Sequence, residues 1–196
     1  MEIIVFTADW DIDEEASKIN LLFQEGLGCL HLRKPSWSKQ QCVDLLHQIN
    51  SNYHSRIMVH QYHDLAIDFS LQGIHLKEQQ RTETQNLHQY VSEYQQKGFQ
   101  VSTGFHDITK LEAHLSIGFN YTFLSPVYTS ISKKNYHGKN FCVKHLDHKI
   151  IGLGGVTPNN IQQLKYKGFT GAAVLGSIWK NNQVCDVFLQ VLENTI

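Results

Sequence analysis

Proline and cysteine are scarce, at 3 and 4 of 196 residues. Cys29, Cys42, Cys142 and Cys185 form no C-x-x-C pair and no zinc-finger spacing, so a disulfide framework is not expected at this size. The thiols are expected to be reduced and mostly buried. An excess of charge is lacking too: 17 Lys and Arg stand against 18 Asp and Glu, a net charge of -1. That balance argues against a nucleic-acid partner, which needs clustered basic charge. No run of about 18 apolar residues occurs, so no membrane-spanning helix and no membrane partner is expected. Met1-Glu2 lacks a basic stretch ahead of an apolar segment, so an export signal is not expected and the expected location is cytoplasmic. No linker, low-complexity tract or composition break divides the chain, so residues 1–196 read as one domain.

What is present is alternation. Eight apolar runs read as strands: 3–7, 28–33, 56–60, 72–76, 99–104, 121–125, 149–154 and 171–175. They carry little charge, as strands buried on both faces should. Helical spacing fills the intervals at 14–24, 38–49, 84–97, 108–117, 158–167 and 183–193. Gly26, Gly98, Gly118 and Gly168 each follow a helix and precede a strand, where glycine accepts the left-handed turn that ends a helix. Thr157-Pro158 reads as a helix start. The order is α/β, and eight units in 196 residues suggest a compact single-domain (β/α)8 TIM barrel. An open doubly wound sheet is the alternative.

Either architecture places the active site at the carboxyl ends of the strands. Gly155 and Val156 follow the seventh strand and Gly176 and Ser177 the eighth, each before a helix. Exposed backbone N–H groups at such turns suit phosphate, although the glycines could equally serve only to shape the turns. Ser130, Ser132 and Lys133 offer hydroxyls and an ammonium group on a loop, suited to a second anion or simply solvated. Arg33 is either an anion clamp or a paired charge at the rim. Twelve histidines are present, and His31, His60, His75 and His106 fall at strand ends and could converge on one mouth. Imidazole suits proton transfer near neutral pH. Neither H-x-H nor H-x3-H spacing occurs at these four, so no metal ligand is assigned. Zinc held by His31, His60 and His106 is the alternative.

The residues also resemble a known family. Leu30 to Lys34 is similar to a Q-L-R-x-K strand, Gly73-Ile74-His75-Leu76 to G-V-H-L, Ser125 to Lys133 to G-P-[IV]-F-x-T-x-[ST]-K, and Gly152 to Asn160 to A-x-G-G-I-x-P-x-N. Their order and spacing resemble the thiamine-phosphate synthase/TenI superfamily. The resemblance implies a (β/α)8 barrel and a role in thiamine biosynthesis. It implies that Gly155, Val156, Gly176 and Ser177 bind the phosphate of a thiazole phosphate. His31, Arg33, His60, Gly104, Ser130, Ser132 and Lys133 would complete the substrate site.

Two branches are possible. The synthase joins hydroxymethylpyrimidine pyrophosphate to thiazole phosphate with Mg²⁺ assisting. The TenI-like tautomerase aromatises a thiazole carboxylate phosphate by moving a proton, with no cofactor. Departures from the synthase pattern favour the second. His60-Gln61 stand where the family carries Asn-Asp, Gln79 or Gln80 where it carries a second acid, Pro35 where it carries Lys, and His31 where it carries Gln. Mg²⁺ prefers carboxylate oxygens. His106 matches the strand-five His that the tautomerase branch uses as acid and base, unless it merely caps the next helix. The expected function is therefore thiazole tautomerase, with Mg²⁺ required only if synthase activity is retained. The alternatives are the synthase and a non-catalytic thiazole or thiamine phosphate binder. A homo-oligomer is left open.

Overall fold

The computed structural model describes residues 1–131 and 137–195. Eight parallel strands close into a barrel in chain order, with β1 returning to pair with β8. They are β1 (Glu2–Phe6), β2 (Cys29–Leu32), β3 (Ile57–Val59), β4 (Gly73–Leu76), β5 (Gln100–Phe105), β6 (Tyr121–Leu124), β7 (Ile150–Leu153) and β8 (Gly171–Val174). Each lies within two residues of its expected run. The closed barrel excludes the open sheet.

The outer layer is α1 (Glu15–Gln24), α2 (Lys39–Gln48), α3 (Leu65–Asp68), α4 (Glu78–Glu83), α5 (Leu87–Gln96), α6 (Ile108–Glu112), α7 (Gln162–Tyr166), α8 (Gly176–Trp179) and α9 (Val184–Glu193). Ser38 caps α2 through a reciprocal pair with Gln41. The expected helix at 108–117 breaks into α6 and a 3-10 turn at Leu115–Ile117. The helix expected from Pro158 begins only at Gln162, because the Asn160 side chain draws Thr157 to Asn160 into a separate turn. The short α3, α4 and α8 lack the length that helical periodicity needs to be visible.

Strand alternation sorts the core into two layers. Ile4, Phe6, Cys29, Met58, Tyr121, Phe123, Ile151 and Ala173 fill the barrel interior. Leu30, Leu32, Ile57, Val59, Ile74 and Val101 face the helices. Of the thiols, Cys29 and Cys42 are buried, but Cys142 is exposed and Cys185 half-buried. The expectation of mostly buried cysteines therefore fails for two of four, which lie outside the barrel layers. None is in a disulfide.

Candidate active site

A cavity of about 430 Å³ opens where the strands end. Alternation explains its lining. Arg33 shares the inward parity of Cys29 and His31, Lys77 that of Gly73 and His75, and His106 that of Ser102 and Gly104. Arg33, His60, Gly104, His106, Ser130, Gly155, Val156 and Gly176 all reach the cavity. His31 lies below it, fully buried. Ser177 stands just behind the rim, its Oγ buried without a hydrogen-bond partner. Ser132 and Lys133 lie outside the described residues.

On the β7–β8 side, Gly154 and Gly155 have φ of 102° and 68°. A Cβ on Gly155 would stand 2.3 Å from the Thr129 carbonyl oxygen, so the loop after β6 fits only against glycine. Among the described residues, the N–H groups of Gly155, Val156, Gly176 and Ser177 donate to no protein acceptor. Four unused donors beside a cavity favour an anion.

The opposite wall is cationic. Arg33, after β2, is 3.4 Å from Asp9, itself part of the rim. Lys77, after β4, forms no ion pair among the described residues, and partial burial together with the Arg33 guanidinium pushes its ammonium group below the usual lysine range. Lys34 takes no part. It has the parity of the outer layer, is buried, and its Nζ lies 2.6 Å from Glu15 Oε2 behind the strand.

His106 is exposed at the rim. Its Nδ1 lies 2.9 Å from Ser125 Oγ and 3.1 Å from the Ser125 carbonyl oxygen. Nδ1 can donate to that carbonyl or accept from the Ser125 hydroxyl, and either contact orients the ring. Capping of α6 falls to Asp107, whose carboxylate accepts from the Lys110 N–H at 3.1 Å, so the capping role considered for His106 is excluded.

The remaining strand-end histidines meet below the rim. His31 Nδ1 lies 2.9 Å from His60 Nε2, and His31 Nε2 lies 2.6 Å from the Tyr121 hydroxyl. The His60 and His75 rings stack at 4.1 Å, and His75 Nδ1 lies 2.9 Å from Ser102 Oγ. Burial holds His31 and His60 well below the ordinary imidazole range and takes His75 down to about 3. All three are neutral at pH 7. The expected convergence of four histidines is thus a cluster of three, with His106 apart because its strand carries it higher, to the rim. Lys77 and Tyr121 were absent from the expected site, whereas His75 was expected at the mouth with the other strand-end histidines. The inward parity of Lys77 with Gly73 and His75 was the signal that could have found the lysine.

A family model described as thiamine monophosphate synthase matches residues 3–178. The chain belongs to that family. A thiamine-phosphate synthase from Lactococcus lactis is 22% identical over 195 residues, covering 93% of this chain and 88% of that protein. The structure of thiamine phosphate pyrophosphorylase from Bacteroides thetaiotaomicron superposes with a TM-score of 0.76 at 27% identity, covering 100% of this chain and 98% of the other. The pyrophosphorylase from Pyrococcus furiosus matches in fold, with a TM-score of 0.81 at 12% identity over 98% and 94% of the two chains. Among the described residues no helix is long and apolar enough to cross a membrane.

The thiamine monophosphate synthase family implies Mg²⁺. The donors here do not suit it. The inner strand ends present imidazoles, and the two carboxylates at the cavity are engaged elsewhere, Asp9 with Arg33 at 3.4 Å and Glu78 with Arg81 at 3.8 Å. Mg²⁺ takes octahedral oxygen ligands and binds imidazole weakly.

Proposed function

We propose that this chain is a synthase-type transferase of thiamine assembly, joining a pyrimidine pyrophosphate to a thiazole phosphate. The observation that carries the reading is the pair of anion-receptive walls facing each other across one cavity. The four unused N–H groups of the β7 and β8 turns suit the thiazole phosphate. Arg33 and Lys77, like charges close enough to perturb one another, suit a multiply charged pyrophosphate. A tautomerase substrate, a thiazole carboxylate phosphate, would set only a singly charged carboxylate against the second wall. The names of the relatives support the same ordering, which reverses the one expected from sequence.

In this reading the thiazole nitrogen attacks the methylene carbon of the pyrimidine. A C–N bond forms, the C–O bond breaks, and its electron pair leaves on pyrophosphate. Charge develops on that leaving group, where Arg33 and Lys77 stabilise it.

The experiment incubates the protein with both substrates, with and without Mg²⁺, and measures thiamine phosphate. The expected result is thiamine phosphate and pyrophosphate in equal amounts. No product under either condition rejects the synthase reading. The second reading, thiazole tautomerase, rests on the orientation of His106 by Ser125 and is scored by ultraviolet-monitored aromatisation. Thiazole phosphate binding without either reaction identifies a non-catalytic binder.

A further inference from the structure

Three imidazoles occupy the barrel centre, where aliphatic side chains would satisfy packing alone. We propose that His31, His60 and His75 form a site for a single zinc-class transition-metal dication at the cavity floor, a site independent of the transferase reading.

Each residue offers one ring nitrogen, and the three nitrogens lie within 4.8 Å of one another. Zinc–nitrogen bonds of about 2.0–2.1 Å put tetrahedral ligands roughly 3.3 Å apart. His31 Nδ1 and His60 Nε2, at 2.9 Å, are already near that spacing, and a modest ring movement brings in His75. Two of the three outward nitrogens are held as metal-site imidazoles usually are, His31 Nε2 by the Tyr121 hydroxyl and His75 Nδ1 by Ser102 Oγ. The outward Nδ1 of His60 and the inward Nε2 of His75 make no hydrogen bond among the described residues.

The shell selects the ion. Phe6 stacks on His31 with ring centroids 4.8 Å apart, and Phe123 meets the same ring edge-on at 5.0 Å. An all-imidazole donor set in an apolar shell favours zinc, cobalt, nickel or copper over magnesium or calcium. His60 and His75 border the cavity, so a fourth position opens to it. Water or a ligand donor atom can occupy that position.

The test uses full-length protein purified without a histidine tag and stripped by chelator. Cobalt(II) is titrated in, ligand-field bands are recorded, and zinc retention is measured by elemental analysis. One equivalent per chain with tetrahedral cobalt bands is expected. His60→Gln and His75→Gln should each weaken binding at least tenfold, and Tyr121→Phe about 10–100-fold by freeing the outer nitrogen of His31. Circular dichroism reports whether each variant folds. Wild-type protein that is folded yet binds neither metal overturns the proposal without recourse to any variant. So does undiminished binding in folded His60→Gln and His75→Gln, which would place the metal on other histidines.

Discussion

Lys34 Nζ lies 2.6 Å from Glu15 Oε2, and the two side chains are 1% and 6% exposed. The pair locks α1 to the end of β2. Burial pushes the Glu15 carboxyl up against the pull of Lys34, and Glu15 Oε1 has no hydrogen-bond partner. Removing one partner strands the other. Glu15→Gln should cost about 3–5 kcal/mol in denaturant unfolding, while Glu15→Leu combined with Lys34→Met should recover most of that loss. A Glu15→Gln cost below about 1 kcal/mol would show that the pair is solvated.

Arg33 and Lys77 are expected to carry the pyrophosphate end of the reaction. Lys77→Ala should lower kcat by about 10²-fold or more, with little change in affinity for thiazole phosphate across the cavity. An unchanged kcat removes Lys77 from the mechanism. Lys34→Met should affect stability rather than kcat, because Lys34 does not reach the cavity.

The β7–β8 turns should fail through the backbone. Gly155→Ala adds a Cβ at φ 68° that would stand 2.3 Å from the Thr129 oxygen. Thiazole phosphate binding, measured by calorimetry, should weaken at least tenfold because the loop must shift. Wild-type affinity would separate this turn from the phosphate.

His106→Ala should leave phosphate binding intact. It should abolish aromatisation if the protein has tautomerase activity, and alter synthase turnover only modestly. Unchanged aromatisation in the variant removes His106 as the proton carrier.

The stripped protein should lose stability in acid. His31 and His60 titrate well below 6.5 in the folded state and His75 at about 3. The unfolded chain therefore takes up protons first as pH falls below 6.5. Each imidazole then costs up to about 1.4 kcal/mol per pH unit until it also protonates in the folded state, which for His75 is at about 3. That stability is fully present above pH ~6.5 and is lost as pH falls through the folded-state range of each imidazole. Urea unfolding at pH 7, 6 and 5 measures it, and a pH-independent midpoint would refute the burial argument.

Much of this arrangement was legible in sequence because it is local. Gly98 and Gly168 sit at φ of 88° and 92° where a helix must turn into the next strand, and the strand ends listing toward one mouth follow from parallel order. His75 and Lys77 were harder to place. Alternation separates them from Ile74 and Leu76, but the height at which each meets the cavity is set by the pairing of β4 with β3 and β5.

The sequence by itself determined eight βα units, their punctuation and the ring of residues at the strand ends, since each depends on neighbours a few positions away. Only the tertiary structure decided that Arg33 and Lys77 enter the cavity while Lys34 turns to Glu15, and that His31, His60 and His75 meet while His106 stands apart. Those outcomes depend on the closing of β1 against β8 and on the register between strands, which sets the inner face and the height of each side chain through contacts distant in the chain.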